Sequence, residues 1–512
     1  MTAATGFLSQ SRSLRKLTFY FALIALGCMA FADIGISTRS PAHELALMGQ
    51  GLLTPRVNDW GQWLEAVTYT VTFSLQGVSL ATALGFVFAA YYHRAGVRFV
   101  AAALRSVHEV FWALIFIQVF GISTLAGVLA IVLPFSGTMA KVFGEQLEEV
   151  DSRPARAVEQ PRGGRLSHFF YTRLPLALHA MGNYTAYRME CAIRTSVVLG
   201  FIGLPTIGFH LETALRSGDY SAASAMLFTL LALLYSLRFW FRAKLLWLLV
   251  PLSFLVRPLS AEWSGDNLQQ FLRDCIPAPL REDWGLEKTQ RWLLWLGEQV
   301  GNGLGNTILL AQIVLVLTGL LALLASTLNS RHFVAGWHRR MGDGLLLVLR
   351  SLPEYLLNFI FLIVLGPSML PAILAMTLHN GAIIGHLLGR HSDELAPAVM
   401  ESGPLCRFTY FYIPTLYQRF LAYCFYRWEI IIRETAMLGI LGIPTLGFYI
   451  DSAFEFLRFD VALLLIAVSA ILTLSADALS RHLRQRFLAS DLNLQKRATG
   501  QHEGEVWTTQ PR

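Results

Sequence analysis

Long apolar segments alternate with short polar ones along the whole chain. Runs of about 20 apolar residues can cross a bilayer as helices, because each residue of a helix adds about 1.5 Å. The pattern predicts an all-α polytopic membrane protein with about twelve transmembrane helices. The predicted spans are residues 17–36, 66–92, 106–120, 122–143, 177–202, 221–240, 245–257, 301–328, 343–365, 368–389, 415–441 and 459–479.

Basic residues predict how these spans are oriented. They cluster before the first span and in the loops that follow spans two, four, six, eight and twelve, which all fall on one side. Positive loops mark the cytoplasm, so both termini are predicted to be cytoplasmic. The long loop of about residues 258–300 is acidic and is predicted to face outside, and the chain ends in a polar cytoplasmic tail, 489–512.

The chain contains an internal repeat. The block 187–209, which opens Tyr-Arg-x-Glu-x-x-x-Arg, recurs 239 positions later as 426–448, and the block 104–109 recurs 245 positions later as 349–354. The repeat predicts two permease-like domains of six spans each, 1–244 and 245–488. An even number of spans inserts both domains the same way up, with a transport path expected at their interface.

Composition supports a membrane protein and argues against other classes. Only 15% of the 512 residues are charged and 54% are hydrophobic, whereas soluble proteins carry about 25% charged residues. The formal net charge of +7 resides in short loops, so we expect lipid and not nucleic acid as the surroundings of the chain. Five scattered cysteines form no pair typical of a disulfide framework or a metal site.

Charged residues lie inside the predicted fifth and eleventh spans, where each costs roughly 2.5–3.5 kcal/mol at the bilayer centre. An acid and an arginine four residues apart share a helix face and are expected to pair. The remaining arginine of each span needs another partner, for which a glutamate of a neighbouring span is the candidate. These candidate substrate-path residues are Arg188, Glu190, Arg194, Glu109, Arg427, Glu429, Arg433 and Glu354.

Two interpretations of these charges stay open. An arginine from each half can attract an oxyanion through bidentate hydrogen bonds, or the charges form structural ion pairs that lock helices together. The pair His379–Asn380, in the tenth span, is likewise either part of the path or a satisfied core histidine.

No enzyme motif accompanies these features. The sequence contains no Gly-Lys pair and therefore no phosphate-binding loop of an ATPase. Neither an HExxH metal motif nor a GxSxG nucleophile elbow occurs. We expect no catalytic residue, no metal and no bound cofactor, with ATP used by a separate subunit.

The quoted blocks resemble the membrane permease of the phosphonate/phosphite ABC importers, a type I permease-like family. Its members are usually single six-helix chains that pair, whereas this chain resembles two of them joined. The resemblance implies transport of phosphonates or related phosphorus oxyanions across a bacterial inner membrane. It also implies two copies of a cytoplasmic ABC ATPase and a periplasmic or extracellular substrate-binding protein as partners.

The resemblance further implies a cytoplasmic coupling loop between spans four and five of each half, which docks on the ATPase. The end of its pattern, Leu-Pro, is matched in the first half and by Ile-Pro in the second, while the earlier part is degenerate. The candidate coupling residues are Arg156, Ala157, Gly164 and Pro175 in the first half and Ala398, Gly403 and Pro414 in the second.

A twelve-helix secondary transporter of a small anion is the alternative, because it too has two parallel six-helix halves. Such transporters usually carry an acid in the turn between spans two and three, and the turn here, 93–98, has none. Their long loop also tends to lie between the halves, whereas here the long loops lie within each half.

Overall fold

The computed structural model describes residues 2–38, 40–150, 169–261, 265–281, 285–395 and 403–498. All regular structure in these ranges is helical, as predicted. The first half contains α1 Thr2–Met29, α2 Pro41–Leu53, α3 Trp60–Ala90, α4 Ala95–Ser106, α5 Glu109–Phe120, α6 Thr124–Glu149, α7 Leu174–Gly200, α8 Ile207–Arg216 and α9 Tyr220–Trp240.

The second half repeats the order of these nine helices and adds the short helix Ala278–Arg281 and the one-turn helix Pro404–Cys406. It contains α10 Ala243–Val256, α11 Gly265–Asp274, α12 Leu286–Ala325, α13 Gly336–Ser351, α14 Glu354–Leu365, α15 Leu370–Ser392, α16 Ile413–Met437, α17 Leu446–Glu455 and α18 Phe459–Ala498. Short π-helical turns, Phe169–Arg173 and Arg407–Tyr412, precede α7 and α16. The internal repeat of the sequence is therefore also a repeat of structure.

Six helices of the described chain are long and apolar enough to cross a membrane, and up to nine if each bent pair counts as one span. The chain is thus a multi-pass membrane protein, although the predicted count of twelve is not confirmed. The six are Trp60–Ala90, Thr124–Glu149, Tyr220–Leu237, Leu286–Leu328, Leu370–Ser392 and Phe459–Arg486.

The predicted span 343–365 is not a single straight helix, and the predicted span 106–120 covers only the second helix of a bent pair. α4 and α5 meet at 88°, and α13 and α14 meet at 91°. In the second half Leu352 is extended because the following Pro353 disfavours helical backbone in the residue before it. In the first half the break falls at Val107–His108, where His108 Nδ1 accepts a hydrogen bond from the Val110 amide and caps α5.

The first helix of each half packs on the other half. α1 lies against α12 and α16, where Thr18 Oγ1 and the Tyr417 hydroxyl are 2.6 Å apart and the Phe21 ring packs edge-on against Trp428. α10 lies against α3, where Gln76 Nε2 donates to the Ser253 and Arg257 carbonyls. Because each half packs against the first helix of the other, these contacts hold the halves together. The domain ranges 1–244 and 245–488 stay a prediction.

Small residues allow the central helices of each half to pack closely. Gly77 and Gly85 of α3 face α6, and a Cβ on either would lie 2.8 Å or less from Ile131 or Met139. Gly381 and Gly385 of α15 face α12 in the same way. Such small-residue contacts drive helix association in membranes, where lipid removes most of the hydrophobic driving force. Each half therefore has its own tightly packed core.

A sharp turn follows α7 and α16 and leads into α8 and α17. The turn is built on glycines with positive φ, Gly203 at 97° and Gly442 at 88°. Thr70 Oγ1 of α3 then accepts the hydrogen bond of the Ile207 amide, and Thr307 Oγ1 of α12 accepts that of the Leu446 amide, at 3.0 Å in both halves. In both halves the chain thus turns into a further short helix.

Candidate functional site

A cavity of about 240 Å³ lies between the two halves. Its wall is built from α5, α6 and α7 of the first half and α14, α15 and α16 of the second. The lining side chains include His108, Glu109, Phe135, Tyr184, Tyr187, Arg188, Cys191, Arg194 and Thr195 from the first half and Glu354, His379, Tyr423, Tyr426, Arg427, Arg433 and Glu434 from the second.

Six of the eight residues predicted for the path line this cavity. They are Arg188, Arg194, Arg427, Arg433, Glu109 and Glu354. The other two face away from it. Glu429 binds Arg105, and Glu190 lines a separate crevice of about 620 Å³ together with Arg350. The helical repeat explains the split, because Glu190 lies about 200° round α7 from Arg188.

Arg188 is surrounded by aromatic rings. Its Nε donates to the Tyr184 hydroxyl at 2.9 Å, and its guanidinium carbon lies 5.1 Å from the Phe135 ring centre and 5.3 Å from that of Tyr184. Tyr187 adds a third ring at 5.9 Å. These rings stabilise the cation through their negative faces. The expected pairing of Arg188 with Glu109 is wrong.

Arg427, the equivalent of Arg188, has a carboxylate neighbour. Its Nη1 lies 4.0 Å from Glu434 Oε1, and Glu434 is held on its other oxygen by Asn380 Nδ2 at 3.5 Å. The expected partner, Glu354, instead lies 3.6 Å from His379 Nε2. Glu109 has the matching arrangement with His108 Nε2 at 3.3 Å. His379 is buried and lines the cavity.

Arg194 and Arg433 bridge the halves through backbone oxygens. Arg194 Nη1 donates to the Arg350 carbonyl at 3.2 Å, and Arg433 Nη1 donates to the Arg105 carbonyl at 3.0 Å. Both carbonyls lie in the last turn of a helix, α13 or α4, where a cation is favoured by the exposed negative end of the helix dipole. These two arginines therefore have symmetric contacts that hold the interface.

The predicted pair of Glu429 with Arg433, four residues along α16, is wrong. Glu429 Oε1 accepts from Arg105 Nη1 at 2.7 Å, across the interface between the halves. Arg105 also binds Asp477 of α18 at 2.6 Å, and all three side chains are almost fully buried. A buried cation that satisfies two carboxylates from the other half outcompetes a local pair with one.

The coupling residues are only partly described. Arg156, Ala157, Gly164 and Ala398 lie outside the described residues. Gly403 is exposed and comes just before the one-turn helix Pro404–Cys406. The described Pro175 and Pro414 are the second residues of α7 and α16 and are exposed, a position where proline suits a helix start.

Sequence reasoning missed the aromatic side chains of the cavity. Tyr184 and Tyr423 are 239 positions apart, as are Tyr187 and Tyr426, so the repeat itself carried the signal. In each half, one tyrosine lies four residues before the central arginine, Arg188 or Arg427, and the other lies one residue before it. All four tyrosines line the same chamber. Phe135 and Thr195 carried no such signal, because the second half has Asn380 and Glu434 in their places.

The arrangement suits a small anion. Four guanidinium groups and four phenol rings converge on one chamber, with Glu109 and Glu354 supplying partial compensation. Guanidinium groups bind tetrahedral oxyanions through paired, charge-assisted hydrogen bonds. The fold and the cavity together define a two-fold repeated membrane protein with a polar chamber at its centre, which is the architecture of a transport permease.

Known proteins agree with this class. The chain is 24% identical over 492 residues to the phosphate-import permease protein PhnE of Mycolicibacterium smegmatis, a match that covers 87% of this chain and 90% of that relative. It is 28% identical over 232 residues to the phosphite transport system permease protein PtxC of Stutzerimonas stutzeri, which covers 43% of this chain and 84% of the relative. A protein of Escherichia coli named as a cryptic phosphonate transport system permease, PhnE2, is 25% identical over 99 residues.

The chain is therefore a homologue of permeases from phosphate, phosphonate and phosphite ABC transport systems, and the resemblance predicted from the sequence is confirmed. One relative matches almost the whole chain and another matches less than half of it, which is consistent with two fused permease domains. No protein-family profile and no solved structure matches the chain.

Proposed function

We propose that this chain is the complete membrane permease of an ABC importer and that the cavity between its halves is part of the path for a phosphorus oxyanion. The observation that carries this is the convergence of Arg188, Arg194, Arg427 and Arg433 on one chamber at the interface of the repeats. Repeated transport proteins generally place their path at such an interface. The phosphate, phosphite and phosphonate permeases among its homologues support the same substrate class.

The chamber is suited to passing an anion on and not to retaining it. Conduction requires a site that attracts its ion yet lets it leave. Glu109 and Glu354 lie in the same wall as the arginines, each next to a histidine. Their negative charge lowers the affinity that four arginines alone would give. Selection of the substrate can then be left to a separate binding protein.

Energy and selectivity come from partners in this proposal. The sequence has no phosphate-binding loop, so two copies of a cytoplasmic ATPase would dock at the loops before α7 and α16. A substrate-binding protein would deliver the oxyanion from outside. The basic loops support an orientation with both termini in the cytoplasm, and the proposal sets the chain in a bacterial inner membrane.

Reconstitution in liposomes tests the proposal. Purified chain would be combined with a candidate ATPase and a candidate binding protein from the same organism, and uptake of labelled phosphite, phosphate and methylphosphonate would be measured. We expect ATP-dependent uptake of at least one of them only when all three proteins are present. Uptake that needs no partner and follows a proton gradient would instead identify a secondary transporter and overturn the proposal.

A native cysteine offers a second test of the cavity. Cys191 lines the chamber, whereas Cys406 is exposed elsewhere. Variants that keep one of these two thiols and replace the other four cysteines with serine would be labelled with a small anionic thiol reagent. Millimolar methylphosphonate should slow labelling of Cys191 and leave labelling of Cys406 unchanged. Equal rates with and without the anion at Cys191 would contradict binding in the chamber.

A further inference from the structure

The two halves of the cavity differ at several equivalent positions, and two of these change the groups near Arg188 and Arg427. Thr195 of α7 corresponds to Glu434 of α16 at the repeat offset of 239, and Phe135 of α6 corresponds to Asn380 of α15 at the offset of 245. The first half thus has an aromatic ring and a hydroxyl where the second has an amide and a carboxylate. All four side chains lie on helices that form the cavity wall.

In the second half these residues form a linked set around the arginine. Asn380 Nδ2 lies 3.5 Å from one Glu434 oxygen, and Arg427 Nη1 lies 4.0 Å from the other. Glu434 is only 8% exposed and Asn380 is fully buried. Glu434 is seven residues, or two turns, from Arg427, so both project from the same face of α16. A carboxyl group therefore stands where an anion would approach Arg427.

In the first half no carboxyl group stands at the position equivalent to Glu434. Thr195 is seven residues from Arg188 on α7 and offers a neutral hydroxyl. Within the described residues no carboxylate lies within 4.0 Å of Arg188, and its recorded hydrogen bond goes from Nε to Tyr184. A guanidinium has five N–H donors, so its terminal amino groups remain for a ligand. The rings of Phe135, Tyr184 and Tyr187 fix its position without neutralising it.

We propose that the cavity binds one phosphorus oxyanion off-centre, on Arg188 with Thr195 beside it, and that Glu434 held by Asn380 blocks the equivalent site on Arg427. This inference rests on the proposed function and adds which half holds the substrate. Arg188 presents two terminal N–H groups in a planar fork that matches two oxygens of a tetrahedral anion. Glu434 occupies the matching space at Arg427, so the anion is not shared between both arginines and is released more readily.

Paired variants test the asymmetry. Arg188→Lys keeps the charge and removes the fork, so we expect the KM for uptake and the concentration that protects Cys191 to rise about tenfold. Arg427→Lys should change both by less than about threefold, because Glu434 already occupies that arginine. Equal effects of the two variants on Cys191 protection would overturn the inference.

Exchange of the equivalent residues gives the matched test. Thr195→Glu places a carboxylate beside Arg188 and should abolish protection of Cys191, while Thr195→Val separates loss of the hydroxyl from gain of the charge. Glu434→Thr should lower the protecting concentration and slow turnover, because the second arginine becomes available. Unchanged protection in folded Thr195→Glu, judged by gel filtration and melting temperature, would contradict the proposal, and the two lysine variants decide the matter if it does not fold.

Failure of the inference and failure of the proposed function give different results. If the unmodified chain shows neither ATP-dependent uptake nor protection of Cys191 by any phosphorus oxyanion, the proposed function is wrong. If the unmodified chain transports and is protected but Arg188 and Arg427 variants behave alike, the function stands and the off-centre site is wrong.

Discussion

Arg105 and Arg350 occupy the same position in the two repeats, yet their surroundings differ. Arg105 binds Glu429 at 2.7 Å and Asp477 at 2.6 Å, and Asp477 also binds Arg481. Arg350 has no ion pair with any described residue, although its carbonyl accepts from Arg194 just as the Arg105 carbonyl accepts from Arg433. The backbone contact is duplicated, and the side-chain ion pairs are not.

The sequence explains the difference. Glu429 corresponds to Glu190 at the offset of 239, but Asp477 corresponds to Arg238. A charge reversal at one position of the last helix thus removes one of the two carboxylates. On the Arg350 side a crevice of about 620 Å³ lies between α7, α9 and α13. Among the described side chains, the buried ion network between the halves therefore lies on the Arg105 side. The cavity likewise has a shared backbone with different side chains in its two halves.

The largest expected effect concerns the start of α8 and α17, where the two repeats have the same backbone path. A Cβ on Gly208 would lie 1.8 Å from the Val197 carbonyl oxygen, and one on Gly447 would lie 1.8 Å from that of Ala436. Neither overlap can be relieved without moving α8 or α17. We expect Gly208→Ala and Gly447→Ala each to abolish monodisperse protein in detergent gel filtration. Gly182→Ala, in open space on α7, is the control, and tolerance of only one of the two changes would mean that the backbones differ as well.

The next effect tests the ion network directly. Arg105→Met leaves Glu429 and Asp477 buried without their cation, a loss of about 3–5 kcal/mol for a broken buried pair. Arg350→Met breaks no described ion pair and should cost about 1 kcal/mol or less. Melting temperatures in detergent at constant pH would measure both.

A charge-balanced control shows whether the unpaired acids cause the loss. Adding Glu429→Gln and Asp477→Asn to Arg105→Met removes the stranded charges and should recover part of the stability. Equal melting temperatures for Arg105→Met and Arg350→Met would show that the asymmetry of contacts has no energetic consequence.

Much of the fold follows from local sequence. The repeat at offsets of 239 and 245 predicts the pairing of α4–α9 with α13–α18, because equivalent residues build equivalent helices. The right-angle break before α14 is also predictable from the sequence, because Pro353 disfavours helical backbone at Leu352. The break before α5 was not, because His108 takes the place of that proline and nothing local requires the chain to bend there.

Ion-pair partners could not be predicted, for a physical reason. Helical spacing shows that Glu429 and Arg433 share a face, but it carries no information on a competitor such as Arg105, 324 positions away. The same holds for the exchanged first helices, since an apolar stripe on α1 fits either half. Which of two arginines pairs with a glutamate depends on how distant helices pack against each other. Local periodicity contains no information on that packing.

A smaller effect tests whether the repeats are equal at a shared side-chain contact. Thr70→Val and Thr307→Val remove the hydroxyls that accept the first amide hydrogen bonds of α8 and α17. Loss of such a cap costs about 1 kcal/mol, and we expect the same decrease in melting temperature from both. Thr68→Val, whose exposed hydroxyl bonds only within α3, is the control. Unequal decreases would extend the asymmetry to this contact.

The smallest expected effect concerns a contact that lies outside the membrane-spanning helices and occurs in one repeat. Asp219 caps α9 by accepting from the Ala222 amide, and it also accepts from Asn58 Nδ2 at 2.9 Å and lies near Arg56. The hydrogen bond from Asn58, then that from Ala222, lowers the pKa of this carboxyl from its ordinary value of 3.8. The equivalent residue before α18 is Arg458, which cannot act in this way.

The sign of the pH dependence follows from the lowered pKa. A carboxyl whose pKa is lower in the folded state contributes stability above its unfolded pKa and loses it as pH falls through the folded pKa. Asp219→Asn should therefore lower the melting temperature slightly at pH 7, by no more than the roughly 1 kcal/mol of an exposed pair. The difference from the unmodified chain should shrink as pH falls below about 3.8. A difference that stayed constant from pH 7 to pH 3 would mean that the charge of Asp219 adds nothing to the cap.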